Sequence, residues 1–114
     1  MSITVNIRYS GKGNAAVDFA KEMTENGTVE NIRAEKGNLR YEYFVPLFDG
    51  SGNGEKTVFL IEQWENRAAI EAHQASHMME TITKLREKYD ICRSIEFVVS
   101  DGDVPESNES FIKV

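Results

Sequence analysis

The chain has 114 residues, a formal net charge of -6, and 40% hydrophobic and 28% charged side chains. That is one domain's length, enough to bury a core without staples and too short for two ordinary domains. The excess of 19 acidic over 13 basic side chains excludes a surface built to grip a nucleic-acid backbone.

The first residues, Met1 to Asn6, carry neither the basic start nor the long apolar run of a secretory signal. Ile3, Val5, Ile7 and Tyr9 alternate with Thr4, Asn6 and Arg8, which predicts a half-buried strand over residues 3–9. Ser10 to Gly13 reads as a turn. Asn14 can cap a helix that Asn26-Gly27 ends, with Ala16, Phe19, Ala20 and Met23 as its apolar stripe. Residues 28–38 offer only Val29 and Ile32 as large apolar side chains and read as an irregular connection with at most a helical turn. A second strand runs from Leu39 to Leu47. Pro46 must lie at its edge, at a bulge or at its end, because proline cannot donate to a ladder.

Asp49 to Lys56 holds three glycines in eight residues and reads as a hairpin connection. Thr57 to Glu65 is the third strand. Its run Val58 to Ile61 is the longest apolar stretch of the chain, suited to a central strand buried on both sides and far too short to span a bilayer. Asn66 caps a helix through about Ala75, and Ser76 caps a second through about Tyr89 with Met79, Ile82 and Leu85 inward. Ile91 to Val99 is the fourth strand. Cys92 has no internal disulfide partner and reads as an inert packed thiol; a reducing, cytoplasmic setting is the expectation. The domain is expected over residues 1–100. Residues 101–114 form an acidic tail whose end, Phe111 to Val114, frays or docks on a partner subunit.

The order β-α-β-β-α-β predicts an α+β, ferredoxin-like sandwich, with helices on one face of an antiparallel sheet. The other face would lie bare. The row Ile3, Val5 and Ile7 is too apolar to leave in water, so a homodimer through the sheet face is expected.

Few residues could carry chemistry. The glycines at 50, 52 and 54 lack the context of a phosphate loop. His73 and His77 have a metal-ligand spacing on an unbroken helix, but no third ligand is evident and a cap at Ser76 would break the register. No metal is expected. His73 is either a helix-face residue near Ile70 with a satisfied ring, or a base facing a pocket. Asn6, if its row faces the helices, is a buried amide that is structural or polarises a substrate oxygen. Glu62, inside an apolar strand, should be paired or sit at a site. Trp64 is core or cavity wall. Tyr41 and Tyr43 are candidates for the dimer interface.

Glu62-Gln63-Trp64-Glu65-Asn66, then Ala69 to His73 and Ser76-His77-Met78, resemble the antibiotic biosynthesis monooxygenase (ABM) family. Ala34 to Tyr41 resembles that family's glutamate-x-glycine-x-x-x-tyrosine segment, with Lys36 where members usually have proline. The stretch from Glu62 to Met78 is most similar to the bacterial quinol monooxygenase branch. The resemblance implies a dimeric α+β barrel with a cavity between the sheet and helices of each subunit. It implies oxidation of a small aromatic quinol or anthrone with O2 as co-substrate and no cofactor. On that likeness His73 is the base or oxyanion donor and Asn6 holds a substrate oxygen. On the same likeness Trp64 helps form a wall and His77 lies behind the site or at its mouth; Arg8 and Glu62, singled out by their own charges, are the further substrate-binding candidates. Two alternatives stand beside it. One is an enzyme that isomerises or degrades a phosphorylated autoinducer-2-like signal, with Arg8 and Arg40 as phosphate anchors. The other is a non-catalytic stress-response binding module of the same fold. The resemblance disfavours haem cleavage, because His73 and Thr83 stand where that branch has tryptophan and histidine.

Overall fold

The computed structural model describes residues 2–47 and 55–100. The expectations for the glycine-rich connection and for the tail with Phe111 to Val114 lie outside the described residues. The elements are β1 (Ile3–Lys12), α1 (Ala15–Glu25), α2 (Thr28–Arg33), β2 (Asn38–Phe44), β3 (Glu55–Trp64), α3 (Arg67–Gln74), α4 (Met78–Lys88) and β4 (Cys92–Val99). The strands form one sheet in the order β2-β3-β1-β4, every neighbouring pair antiparallel. This is the expected ferredoxin-like α+β arrangement.

Several boundaries differ from the sequence expectation, each for a local reason. The expected turn at Ser10 to Gly13 is strand as far as Lys12, because Gly11 and Lys12 continue the ladder opposite Lys56 and Glu55. The expected irregular connection contains the six-residue α2. Gly27 enters it at φ 85°, and the Asn26 side chain accepts a 2.9 Å bond from the Thr28 amide. Ser76 does not cap α4; its hydroxyl donates to the His73 carbonyl at 2.7 Å and so closes α3. β2 stops at Phe44, and residues 45–47 before and after Pro46 are exposed.

The pleat sorts the side chains differently from the reading that put Ile3, Val5 and Ile7 on the bare face. That row, with Tyr9, is buried beneath the helices. It meets Ala16, Phe19 and Met23 of α1 and Ile82 and Leu85 of α4 in one core, and the Tyr9 and Phe19 rings lie 4.9 Å apart. Asn6 and Arg8 point to the bare face and are exposed. β3 is central, but it alternates rather than being buried on both sides: Val58, Leu60, Glu62 and Trp64 face the helices, and Phe59 stays 36% exposed on the bare face. There, Arg8 lies over the Phe59 ring at 5.4 Å and Arg40 over Phe44 at 5.2 Å.

β4 lies at the sheet edge, and the helices do not reach across it. Its helix-side residues Ile95 and Phe97 remain 40% and 51% exposed. Cys92, at its start, is exposed rather than packed, because it lies opposite Ser10 on the bare face of the sheet. Among the described residues, no helix is long and apolar enough to cross a membrane.

Candidate active site

The site begins with a glycine. Gly37 has φ 88°, a conformation that L side chains resist, and a Cβ there would lie 2.5 Å from the Ala69 Cβ. The bare backbone can therefore press against the first turn of α3, where the Gly37 carbonyl accepts a 2.8 Å bond from the Glu65 amide. Asn66 fixes that turn by accepting from the Ala69 amide at 2.9 Å. Three residues apart on α3, Ile70 and His73 turn to the same buried side. The close approach at Gly37 brings Glu35 within reach of His73.

The Glu35 Oε1 lies 2.7 Å from the His73 Nδ1. The Glu35 carboxylate is placed to accept from Nδ1–H, and Nε2 is the ring nitrogen turned toward Glu62. The imidazole stacks on the Trp64 indole, with ring centres 4.8 Å apart and planes 28° from parallel. Trp64 in turn donates through Nε1 to Glu62 Oε1 at 3.1 Å. The same carboxylate oxygen is 3.9 Å from His73 Nε2, too far for a hydrogen bond. His73, Glu35 and Glu62 have only 7%, 17% and 8% of their side chains exposed.

Burial sets the protonation of the groups around them. It pushes the Glu62 carboxyl above the usual carboxylate range, with His73 and the Trp64 N–H pulling the other way. It pushes the Tyr9 hydroxyl up to about 12, helped by the nearby Glu62 charge, and the Tyr41 hydroxyl well above its ordinary value. Both phenols are therefore neutral donors at physiological pH.

His73 and Glu62 look into a cleft of about 60 Å³ between the sheet and the α3–α4 layer. Val5, Ile7 and Tyr9 form its floor, and Met79 and Ile82 form one wall. The other side runs out over β4, past Arg93, Ile95 and Phe97. The enclosed part holds a few waters, against several hundred Å³ for an ordinary ligand pocket. An aromatic ring therefore has to use the exposed side over β4 as well.

Of the residues expected from sequence, the cleft gathers His73 and Glu62. Trp64 is not a cleft wall: it is 0% exposed and stands behind His73. Asn6 and Arg8 lie on the opposite face of the sheet, because the even-numbered row of β1 turns away from the helices. His77 is exposed at the start of α4, on a different helix from His73 and outside the cleft lining. Among the described residues, no group of three or more His, Cys, Asp or Glu side chains is placed to hold a metal ion. The phosphate anchors named for the signal-processing alternative are also elsewhere: Arg40 pairs with Glu42 at 3.0 Å, and neither Arg8 nor Arg40 lines the cleft.

Sequence reasoning missed Glu35 and Arg93. A signal for Glu35 existed, two residues before the glycine of the segment that carried the resemblance. Arg93 shares the odd-numbered parity of Ile95 and Phe97, which is the only mark of its facing the cleft.

The fold and site together define a small α+β domain with a buried histidine held between carboxylates at the end of a cleft. The profile of the antibiotic biosynthesis monooxygenase family matches residues 2–85, and the chain belongs to that family. No curated protein matches the sequence. Among solved structures, a Deinococcus radiodurans protein named for the same family superposes with a TM-score of 0.69 at 18% identity, covering 92% of this chain and 97% of that one. SnoaB from Streptomyces nogalater, described as a cofactor-independent oxygenase, gives 0.66 at 13% identity and covers 92% and 98%. A dimeric ferredoxin-like protein from an uncultured marine organism gives 0.69 at 14% identity and covers 90% and 98%. At these identities the likeness is one of fold.

Proposed function

We propose that the chain is a cofactor-independent monooxygenase that oxidises a small aromatic quinol or anthrone-like substrate with O2. The observation that supports this reading most is the contact between Glu35 and His73 Nδ1 at the end of the cleft. It leaves Nε2 as a base, and the Glu35 carboxylate steadies the imidazolium that forms. His73 Nε2 takes a proton from the substrate's hydroxyl or acidic methylene. Glu62, 3.9 Å away, is placed to hold the same substrate oxygen. The resulting anion is electron-rich and passes its electrons to O2. In an anthrone, the methylene carbon loses two hydrogens and gains one oxygen as a ketone. The second oxygen atom leaves with both hydrogens as water, the His73 proton among them. The apolar floor and walls keep bulk water from the anion.

The cofactor-independent description of SnoaB agrees with this chemistry. The dimeric relative supports a homodimer, which would bury the bare sheet face with Phe59, Phe44 and Ile61. Oxygen uptake with naphthohydroquinols and anthrones tests the reading. Wild type should consume oxygen well above the autoxidation blank, and His73→Ala should lose about a hundredfold or more in kcat. Uptake no faster than the blank across the panel, or an undiminished His73→Ala, would refute it.

A further inference from the structure

The cleft has a positive end that the proposed reaction does not use. Arg93 stands on β4 opposite Tyr9, and its side chain lines the cleft together with Ile95 and Phe97. Among the described residues it makes no hydrogen bond and no ion pair. Its charge nonetheless reaches into the site, acting on Tyr9 and Glu62. The other ionisable groups lining the cleft, apart from Tyr9 and Tyr41, are Glu62 and His73. An unpaired guanidinium beside apolar side chains is a fork without its partner, and its geometry suits a carboxylate.

The register sets a distance. Glu62 lies level with Val5 in the sheet, and Arg93 lies level with Tyr9. Four residues along a strand span about 13 Å, and β3 and β4 lie on either side of β1, about 10 Å apart across the sheet, so the two backbones are roughly 16 Å apart; the inward reach of both side chains shortens the gap between their charged ends to roughly 10 Å. A single six-membered ring is too short to bridge it. Two fused rings with substituents at opposite ends fit, lying over Val5 and Ile7 and against Ile95 and Phe97.

We infer that the substrate is an anionic fused-ring aromatic, its carboxylate held by Arg93 and its reacting oxygen held at His73 and Glu62. This rests on the oxygenase reading for which end reacts, but the binding claim can be tested without turnover. The probes are 6-hydroxy-2-naphthoate, which carries hydroxyl and carboxylate at opposite ends, and 2-naphthol, which lacks the carboxylate. Titration calorimetry on the whole chain should show the naphthoate binding about tenfold or more tightly than the naphthol. Arg93→Gln should erase that preference, and Arg93→Lys should retain part of it. Arg93 is exposed, so both variants should fold, which circular dichroism checks. Equal affinity of the two probes for wild type would overturn the proposal, as would a preference that survives Arg93→Gln. Absence of oxygen turnover alongside an Arg93-dependent preference would remove the oxygenase reading and leave the anion site standing.

Discussion

His73 is the residue on which the site turns, and its neighbours state how it should respond to change. Glu35→Gln removes the charge that favours a proton on Nδ1 and steadies the imidazolium, and puts an amide there that can donate as well as accept. It should cost at least roughly tenfold in kcat with little change in KM, because it acts through His73 and not on the substrate. Glu62 gives a stability prediction with a definite sign. Burial holds its carboxyl above the ordinary 4.5, so over an interval of pH the folded chain keeps a proton that the unfolded chain has lost. Stability therefore falls as pH rises through the interval above 4.5. Glu62→Gln should match wild type in urea unfolding at about pH 4 and exceed it at about pH 7. A gap that opens instead on the acidic side would contradict the assignment. The roles of these residues were only partly visible in the sequence. An isolated glutamate in an apolar strand is conspicuous and led to Glu62, whereas Glu35 lies in a polar stretch and is brought to His73 only by the chain's path through Gly37.

The elements that carry the site were legible because they obey simple periodicities. The alternation of β1 and the Asn66 cap of α3 stand where the sequence places them, and so do Ile82 and Leu85 of α4's inward row, while Met78 takes the buried place expected for Met79, which is only partly buried. The face of β1 was not legible. Alternation says that Asn6 and Ile7 point oppositely, but not which of them meets the helices, and the structure puts Asn6 across the sheet from His73. Arg93 was hidden for a related reason, since an edge strand that the helices do not cover shows no amphipathic contrast. The turn into β2 gives the sharpest test at this scale. Gly37→Ala combines a left-handed backbone with a close contact to Ala69, and it should cost about 2–4 kcal/mol in denaturant unfolding. If it folds, it should also lose activity, because Glu35 can no longer approach His73. An Ala variant as stable as wild type would mean that the turn does not press on α3 as described.

At the scale of the whole molecule, the described helices cover one face of a four-stranded sheet and leave the other bare, the face that the proposed homodimer would bury. The bare face carries Phe59 under Arg8 and Phe44 under Arg40, a mixture of apolar rings and charge suited to a self-complementary interface. Phe59→Glu should shift the sedimentation coefficient from that of a dimer to that of a folded monomer; an unchanged dimer would place the interface elsewhere. Buried phenols set the alkaline limit of the molecule. Tyr9 ionises near pH 12 in the folded chain and near 10 in the unfolded one, so stability should drop between those values. On the proposed mechanism, the same burial that keeps Tyr9 protonated shields the inner end of the cleft, where a substrate anion would meet O2. That central claim is tested most directly by turnover under isotopically heavy dioxygen, followed by mass spectrometry of the quinone. One heavy oxygen atom in the product and one in water is the expected outcome. A quinone free of heavy oxygen, or formed no faster than without the protein, would contradict it.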